Sequence, residues 1–218
     1  MYDARVTEAV IVAGAPWRWT PPFVALVRRA GVLLAADGGA NHLARIGVRP
    51  AAVVGDMDSI RPDVRAWLGE ARLVHREDQD HTDLHKTLAA AFDEYGATSA
   101  SILAATGGGL DHALENVGLL ARWSRRGPIE AWDGEARIVP VTGRVTLAAR
   151  PGQRVSLVPA GRSGLVWTEG LRWPLRGEHL DLLERTGVSN RAEGGRIEVR
   201  VEDGCLLVFQ YGELPRPR

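Results

Sequence analysis

Within the first 127 residues, short apolar runs alternate with helical patterns, and most of the runs end in glycine or aspartate. Few folds accommodate that alternation. Glu8 to Ala13, Val32 to Ala36, Ala52 to Val54, Arg72 to Val74 and Ser101 to Ala105 read as strands, the fourth of them weak. Pro21 to Ala30, Gly39 to Ile46, Asp83 to Tyr95 and Asp111 to Ser124 read as helices. In the third helix Leu84, Leu88, Ala91 and Phe92 form an apolar stripe, and Thr82 is placed to cap its start. Strands that alternate with helices predict a mainly parallel sheet covered on both faces, a three-layer α/β/α domain.

After Gly127-Pro128 the texture changes. Arg154-Leu157, Gly164-Trp167, Arg196-Val201 and Cys205-Phe209 are short runs separated by glycine, proline and charge. Arg196-Val201 alternates strictly, the pattern of a half-exposed strand, and turn signals recur at Pro151-Gly152, Gly194-Gly195 and Asp203-Gly204. The expectation is two domains, 1–127 α/β and 128–218 a small antiparallel β sandwich or barrel-like domain. A chain of 218 residues is long enough to bury a core for each.

Lys+Arg and Asp+Glu both total 27, a balance that argues against a general polyanion binder such as a nucleic-acid protein. Lys86 is the lone lysine among many arginines. The single cysteine, Cys205, excludes an internal disulfide framework and a cysteine-based zinc site, and its apolar neighbours predict a buried thiol. No stretch approaches a membrane span, and Met1-Tyr2-Asp3-Ala4-Arg5 lacks the apolar run of a signal peptide, so a cytoplasmic protein is expected.

The segments just after the strands carry the chemistry. The strands lead into Gly14, Asp37-Gly38-Gly39, Gly55-Asp56-Met57-Asp58-Ser59, Asp78-Gln79-Asp80-His81-Thr82-Asp83 and Thr106-Gly107-Gly108-Gly109-Leu110-Asp111-His112. An open parallel sheet binds ligands at the carboxyl ends of its strands, so carboxylates from four loops converge on one edge. Crowded carboxylates raise each other's pKa unless a cation compensates them. Oxygen ligands without thiolates suit Mg²⁺, which completes its shell with substrate phosphates. Gly107-Gly108-Gly109 before a helix lets backbone N–H groups approach phosphate, although no Walker lysine comes after it.

Each motif also has a structural reading. Asp37-Gly38-Gly39 serves equally as a turn, and Asp58 or Ser59 as a cap. Asp83 favours the helix dipole. Lys86, three residues on, shares its helix face and reads either as an ion pair or as a phosphate ligand. His112 reads as a packing histidine. The convergence of these motifs on one edge favours function.

In this order, Asp37-Gly38-Gly39-Ala40-Asn41, Gly55-Asp56-Met57-Asp58-Ser59, Asp78-Gln79-Asp80-His81-Thr82-Asp83 and Gly107-Gly108-Gly109-Leu110-Asp111-His112 resemble the four signature blocks of the thiamine pyrophosphokinase family. The C-terminal part resembles that family's thiamine-binding domain through Val155-Ser156-Leu157-Val158-Pro159, Gly170-Leu171-Arg172-Trp173-Pro174-Leu175 and Val188-Ser189-Asn190. The resemblance covers nearly the whole chain. It implies that the hydroxyethyl oxygen of thiamine attacks the β-phosphorus of ATP, giving thiamine diphosphate and AMP. It assigns Asp56, Asp58 and Asp83 to Mg²⁺ and Lys86 to phosphate. Asp111 would hold a metal or orient the attacking hydroxyl, and Asp37 would lie close to the reacting groups. Gly107, Gly108 and Gly109, with Gln79 and Thr82, would bind the nucleotide, and Trp173, as an aromatic surface for the cationic ring, with Ser189 and Asn190, the thiamine; apart from the resemblance, Trp173 reads as core packing and Ser189-Asn190 as a turn. A homodimer with the site between subunits is also implied. One departure stands out: the family usually has arginine where this chain has Gly109. Two rival readings are a diphosphokinase acting on another alcohol, such as a pterin, and a non-catalytic nucleotide or thiamine binder.

Overall fold

The computed structural model describes residues 7–69 and 72–215, so the pentapeptide Met1-Tyr2-Asp3-Ala4-Arg5 lies outside the described residues. The chain divides into two compact units, Met1–Asn116 with Arg126–Gly134 and Pro215–Arg218, and Val117–Arg125 with Glu135–Leu214.

The first unit opens with β1 (Glu8–Val12), α1 (Pro21–Arg28), β2 (Val32–Ala36), α2 (Gly39–Ala44) and β3 (Ala52–Gly55). It continues with α3 (Pro62–Leu68), β4 (Arg72–His75), α4 (Asp83–Ala89), β5 (Ser99–Leu103), α5 (Leu110–Trp123) and β6 (Ile129–Trp132). Proline in the first turn starts α1 and α3, where a missing N–H costs nothing. Thr82 caps α4 by accepting the His85 N–H, as its position predicts. The helix expected to end at Tyr95 changes pitch midway: Ala90–Glu94 is a π-helical turn closed by Tyr95 N–H on Ala90 O. Six strands run in the order β6-β5-β1-β2-β3-β4, every neighbouring pair parallel. β1 and β5 bury four of their five residues and β3 all four, as a sheet covered on both faces demands. The strand order reverses between β1 and β5, the position at which such sheets open a crevice.

Two features depart from the sequence reading. α3 had no counterpart in it, and β6 extends the parallel sheet beyond Gly127-Pro128. The core of this unit joins Val10, Val12, Phe23, Leu43, Val53, Leu68 and Trp132.

The second unit holds β7 (Ala136–Val141), β8 (Arg144–Ala148), β9 (Arg154–Pro159), β10 (Arg162–Glu169), β11 (Arg176–Asp181), β12 (Gly187–Arg191), β13 (Arg196–Val201) and β14 (Leu206–Tyr211). They form two antiparallel layers, β12-β9-β14-β7 and β11-β10-β13-β8, a sandwich. Ile197, Val199 and Val201 of the alternating strand face a core with Val155, Leu157, Val166, Leu180 and Leu206. Cys205 is buried and unbridged. Among the described residues no helix is long and apolar enough to cross a membrane.

Candidate active site

At the carboxyl edge of the parallel sheet the backbone bends sharply. Asp37, Met57 and Ala104, just beyond β2, β3 and β5, have φ of 38°, 69° and 56°. Non-glycine residues in this region cost of order 1 kcal/mol or more each, and such strain concentrates at functional sites. The bend at Met57 turns its side chain into the core and leaves Asp56 and Asp58 on the other side.

Oxygen atoms of Asp37, Asp56 and Asp58 all lie within 4.8 Å of one another. Asp37 is 3% exposed. Its Oδ2 accepts the Ser59 N–H at 3.1 Å, while its Oδ1 is buried with no hydrogen-bond partner. Ser59 donates its hydroxyl to Asp58 Oδ1 at 2.8 Å, and Asp58 N–H reaches Asp56 Oδ1 at 3.3 Å. The Ser59 carbonyl accepts from Asn41 Nδ2 at 2.8 Å, and the His75 ring contacts the Asp56 carbonyl at 3.0 Å. Ser59, Asn41 and His75 therefore shape the loop; Ser59 stands out in the sequence as a cap and Asn41 only as part of a block, and neither reads there as a partner of the carboxylate loop. His75 carries a readable signal, as the last residue of β4.

Asp83 opens α4 beside this group. A Cβ on Gly55, whose φ is 153°, would lie 2.8 Å from Asp37 Cβ and 3.0 Å from the Asp83 carboxyl. Gly55 is thus the spacer that lets two carboxylates flank one strand end. Asp83 Oδ1 accepts from Lys86 Nζ at 3.2 Å, and Lys86, 8% exposed in its side chain, also donates to Arg76 O at 3.2 Å. The tightest triad is therefore Asp37–Asp56–Asp58, with Asp83 paired to Lys86 alongside it.

Burial pushes the Asp37 carboxyl above its ordinary value; its Ser59 hydrogen bonds oppose this, and the charges of Asp83 and Asp58 add to it. Burial raises Asp83 too, against the pull of Lys86 and with the push of Asp56 and Asp58. A carboxyl raised on folding contributes full stability below its unfolded pKa and loses it as pH rises through its folded pKa. Asp37 is therefore a net cost to the metal-free protein near neutral pH. Asp37→Asn keeps the Ser59 contact and tolerates the positive φ. In EDTA at pH 7.5 its melting temperature is expected to exceed wild type by about 2–4 °C per kcal/mol relieved, the gain shrinking toward pH 4. An unchanged or lower melt at pH 7.5 would contradict the assignment of strain to this carboxylate.

The remaining sequence candidates are more exposed. Gln79 donates to the Glu77 carbonyl, and Thr82 is engaged as the α4 cap. Gly107, Gly108 and Gly109 form an exposed loop against Ala15 and Pro16. The Gly109 carbonyl accepts the first helical bond of α5, from Ala113 N–H at 3.0 Å. Asp111 lies on the exposed first turn of α5, outside the three-carboxylate group. His112, expected as a packing histidine, is exposed instead, because the start of α5 turns this side outward.

In the sandwich unit, Trp173 is 55% exposed, which removes core packing as its role, and the Arg172 guanidinium lies 5.1 Å from its ring centre. Asn190 is 5% exposed and turned inward. Its Nδ2 donates to Trp173 O at 2.7 Å, and its Oδ1 accepts from Trp173 N–H at 3.2 Å and from Arg191 N–H at 2.8 Å. Asn190 thereby clamps the backbone that presents Trp173. Ser189, at φ 65°, is exposed, and its N–H binds Ser156 Oγ at 3.0 Å.

A doubly wound sheet with crowded carboxylates and a glycine loop at its carboxyl edge defines a protein of the open α/β class, with its candidate site at the switch point of the sheet. The family model described as the catalytic domain of thiamin pyrophosphokinase matches residues 23–130, and that of its vitamin B1 binding domain matches residues 143–206. Thiamine pyrophosphokinase 2 of Arabidopsis thaliana is 30% identical over 228 residues, 92% of this chain and 84% of that protein. Thiamine pyrophosphokinase 1 of Oryza sativa subsp. japonica is 29% identical over 94% of this chain and 87% of its own length. The crystal structure of thiamine pyrophosphokinase from Bacillus subtilis superposes with a TM-score of 0.83 at 24% identity, covering 95% of this chain and all of that one. The chain belongs to the thiamine pyrophosphokinase family, a family of enzymes.

Proposed function

We propose that the protein transfers the diphosphoryl group of ATP to the hydroxyl of thiamine, giving thiamine diphosphate and AMP, with Mg²⁺ as cofactor. The observation that carries this reading is the Asp37–Asp56–Asp58 triad with its unpartnered buried Oδ1, in a chain of this family. Three carboxylates without thiolate or imidazole fit a hard divalent cation. Asp37, Asp56 and Asp58 would hold it, with Asp83 at their flank. Mg²⁺, when bound, supplies charge neutralisation along the triphosphate. Lys86 keeps one ammonium N–H beyond its bonds to Asp83 and Arg76, and this donor would serve a phosphate oxygen. Backbone N–H groups of Gly107, Gly108 and Gly109, at the start of the 14-residue α5, would bind the nucleotide's phosphates, with Gln79 and Thr82 nearby in sequence to Asp83. Asp111 would orient the attacking hydroxyl.

Trp173 would stack on the cationic thiazolium, with Ser189 at its side and Asn190 holding the tryptophan in place. We place the working enzyme in the cytoplasm as a homodimer with each site completed between subunits. Incubation with ATP, Mg²⁺ and thiamine, followed by mass analysis, should yield thiamine diphosphate and AMP in equal amounts. AMP release with a pterin alcohol alone, or ligand binding without AMP, would replace this reading.

Trp173→Ala is expected to raise the KM for thiamine about tenfold and leave that for ATP within twofold, since stacking acts on ground and transition states alike. Equal rises in both KM values would remove the indole from the thiamine site.

Gly109 has no positive φ, and a Cβ there would meet only the exposed Asp111 carboxylate and the His112 ring, both free to swing aside. Gly109→Ala is therefore expected to be harmless. Gly109→Arg is expected to tighten ATP by about 1 kcal/mol, less than a full charged hydrogen bond because the loop is wet. If Ala itself weakens ATP binding, the loop needs its glycine for conformation.

A further inference from the structure

The outer face of the β11-β10-β13-β8 layer carries an open cavity of about 200 Å³, lined by Arg144, Trp167, Thr168, Glu169, Glu198 and Arg200. None of these residues has a part in the proposed diphosphoryl transfer. Register explains the charge pattern. Arg144 on β8 stands directly opposite Arg200 on β13, which stands opposite Trp167 on β10. Two residues along, Thr146, Glu198 and Glu169 form the next row. Like charges set directly opposite each other destabilise a sheet. One of each sign is relieved, since Arg144 pairs with Glu198 at 2.8 Å. The side chains of Arg200 and Glu169 remain without a hydrogen bond or a close ion pair among the described residues, although the Glu169 charge also favours the Arg144 guanidinium.

Arg200 is held by stacking. Its guanidinium carbon lies 4.0 Å from the Trp167 ring centre. Gly177 closes on the same indole, where an added Cβ would come within 3.3 Å of ring atoms. The indole thus buttresses the guanidinium. A guanidinium fixed by its face keeps its N–H edge for a planar oxyanion, and little rotamer entropy is lost on binding. With Glu198 compensated by Arg144, Glu169 is the rim charge that repels multiply charged anions.

We propose that this cavity is a binding site for a small organic carboxylate, held through the free N–H edge of Arg200. The pairing Arg144–Glu198 sets the width of the site, and Glu169 restricts it to singly charged ligands. Benzoate is the probe, with inorganic phosphate as the competing oxyanion. The readout is the indole N–H resonance of Trp167 in ¹H–¹⁵N spectra, assigned by its loss in Trp167→Phe. Benzoate should shift this resonance saturably at constant ionic strength, and phosphate should do so at least tenfold more weakly. Arg200→Gln should weaken benzoate at least tenfold, the loss of a charged hydrogen bond. Glu169→Gln should tighten benzoate several-fold and narrow its margin over phosphate, a gain that a damaged fold cannot produce. No saturable shift with benzoate, or a shift unaffected by both variants, overturns the site. Phosphate binding as tightly as benzoate overturns the carboxylate assignment.

Discussion

Asp56→Asn and Asp58→Asn are each expected to lower kcat by two orders of magnitude or more while the melting temperature stays within a few degrees of wild type. Both side chains converge with Asp37 within 4.8 Å, and neither supports the core. Replacing either removes a charge from the proposed Mg²⁺ site without changing shape, and loss of one preorganised electrostatic contact costs about 3 kcal/mol in the transition state. Steady-state AMP release over a Mg²⁺ titration is the measurement. Weakened ligation moves the Mg²⁺ requirement upward as well as lowering the ceiling. Near-normal turnover at saturating Mg²⁺ in either variant would remove that residue from the metal site.

Gly39→Ala is expected to cost the fold about 3 kcal/mol or more, a drop of about 6–12 °C in melting temperature. The first residue of α2 lies against the end of β1. A Cβ there would overlap the Val12 carbonyl oxygen and stand 2.7 Å from its carbon and 3.1 Å from Ala13 O. All three atoms are backbone, and β1 is locked between β5 and β2, so nothing can yield cheaply. Gly143→Ala is the control, since a Cβ there meets nothing within 4 Å. A melt for Gly39→Ala that matches this control would show that α2 can shift away from the strand.

Much of the fold was legible because burial imposes periodicity. Arg196–Val201 alternates residue by residue, and the strand occupies those six positions. Ile129–Trp132 was less legible: four residues carry too little pattern to separate a parallel strand from the antiparallel runs after it. α3 is signalled only by Pro62, Asp63 and the Val64–Leu68 spacing, and its seven residues are too few to establish a helical period. In the site, each carboxylate was visible as a strand-end motif. Which of them meet was not, because Asp37 joins Asp56 and Asp58 through backbone angles that side-chain identity does not encode. The inward turn of the Asn190 amide was hidden for a related reason. It depends on a partner 17 residues away, Trp173, brought close by the sandwich.

The two kinds of glycine at the sheet edge have different evolutionary latitude. Gly55, wedged between Asp37 and Asp83, leaves no room for even a methyl group, so any drift at that position displaces a carboxylate. Gly109 sits on an exposed loop where the atoms nearest an added Cβ belong to the exposed side chains of Asp111 and His112. The position at which the resemblance implies an arginine falls on this permissive glycine. A side chain can therefore be gained or lost at Gly109 in a single substitution at little cost to the fold, whereas a side chain at Gly55 needs a compensating shift of a neighbouring carboxylate.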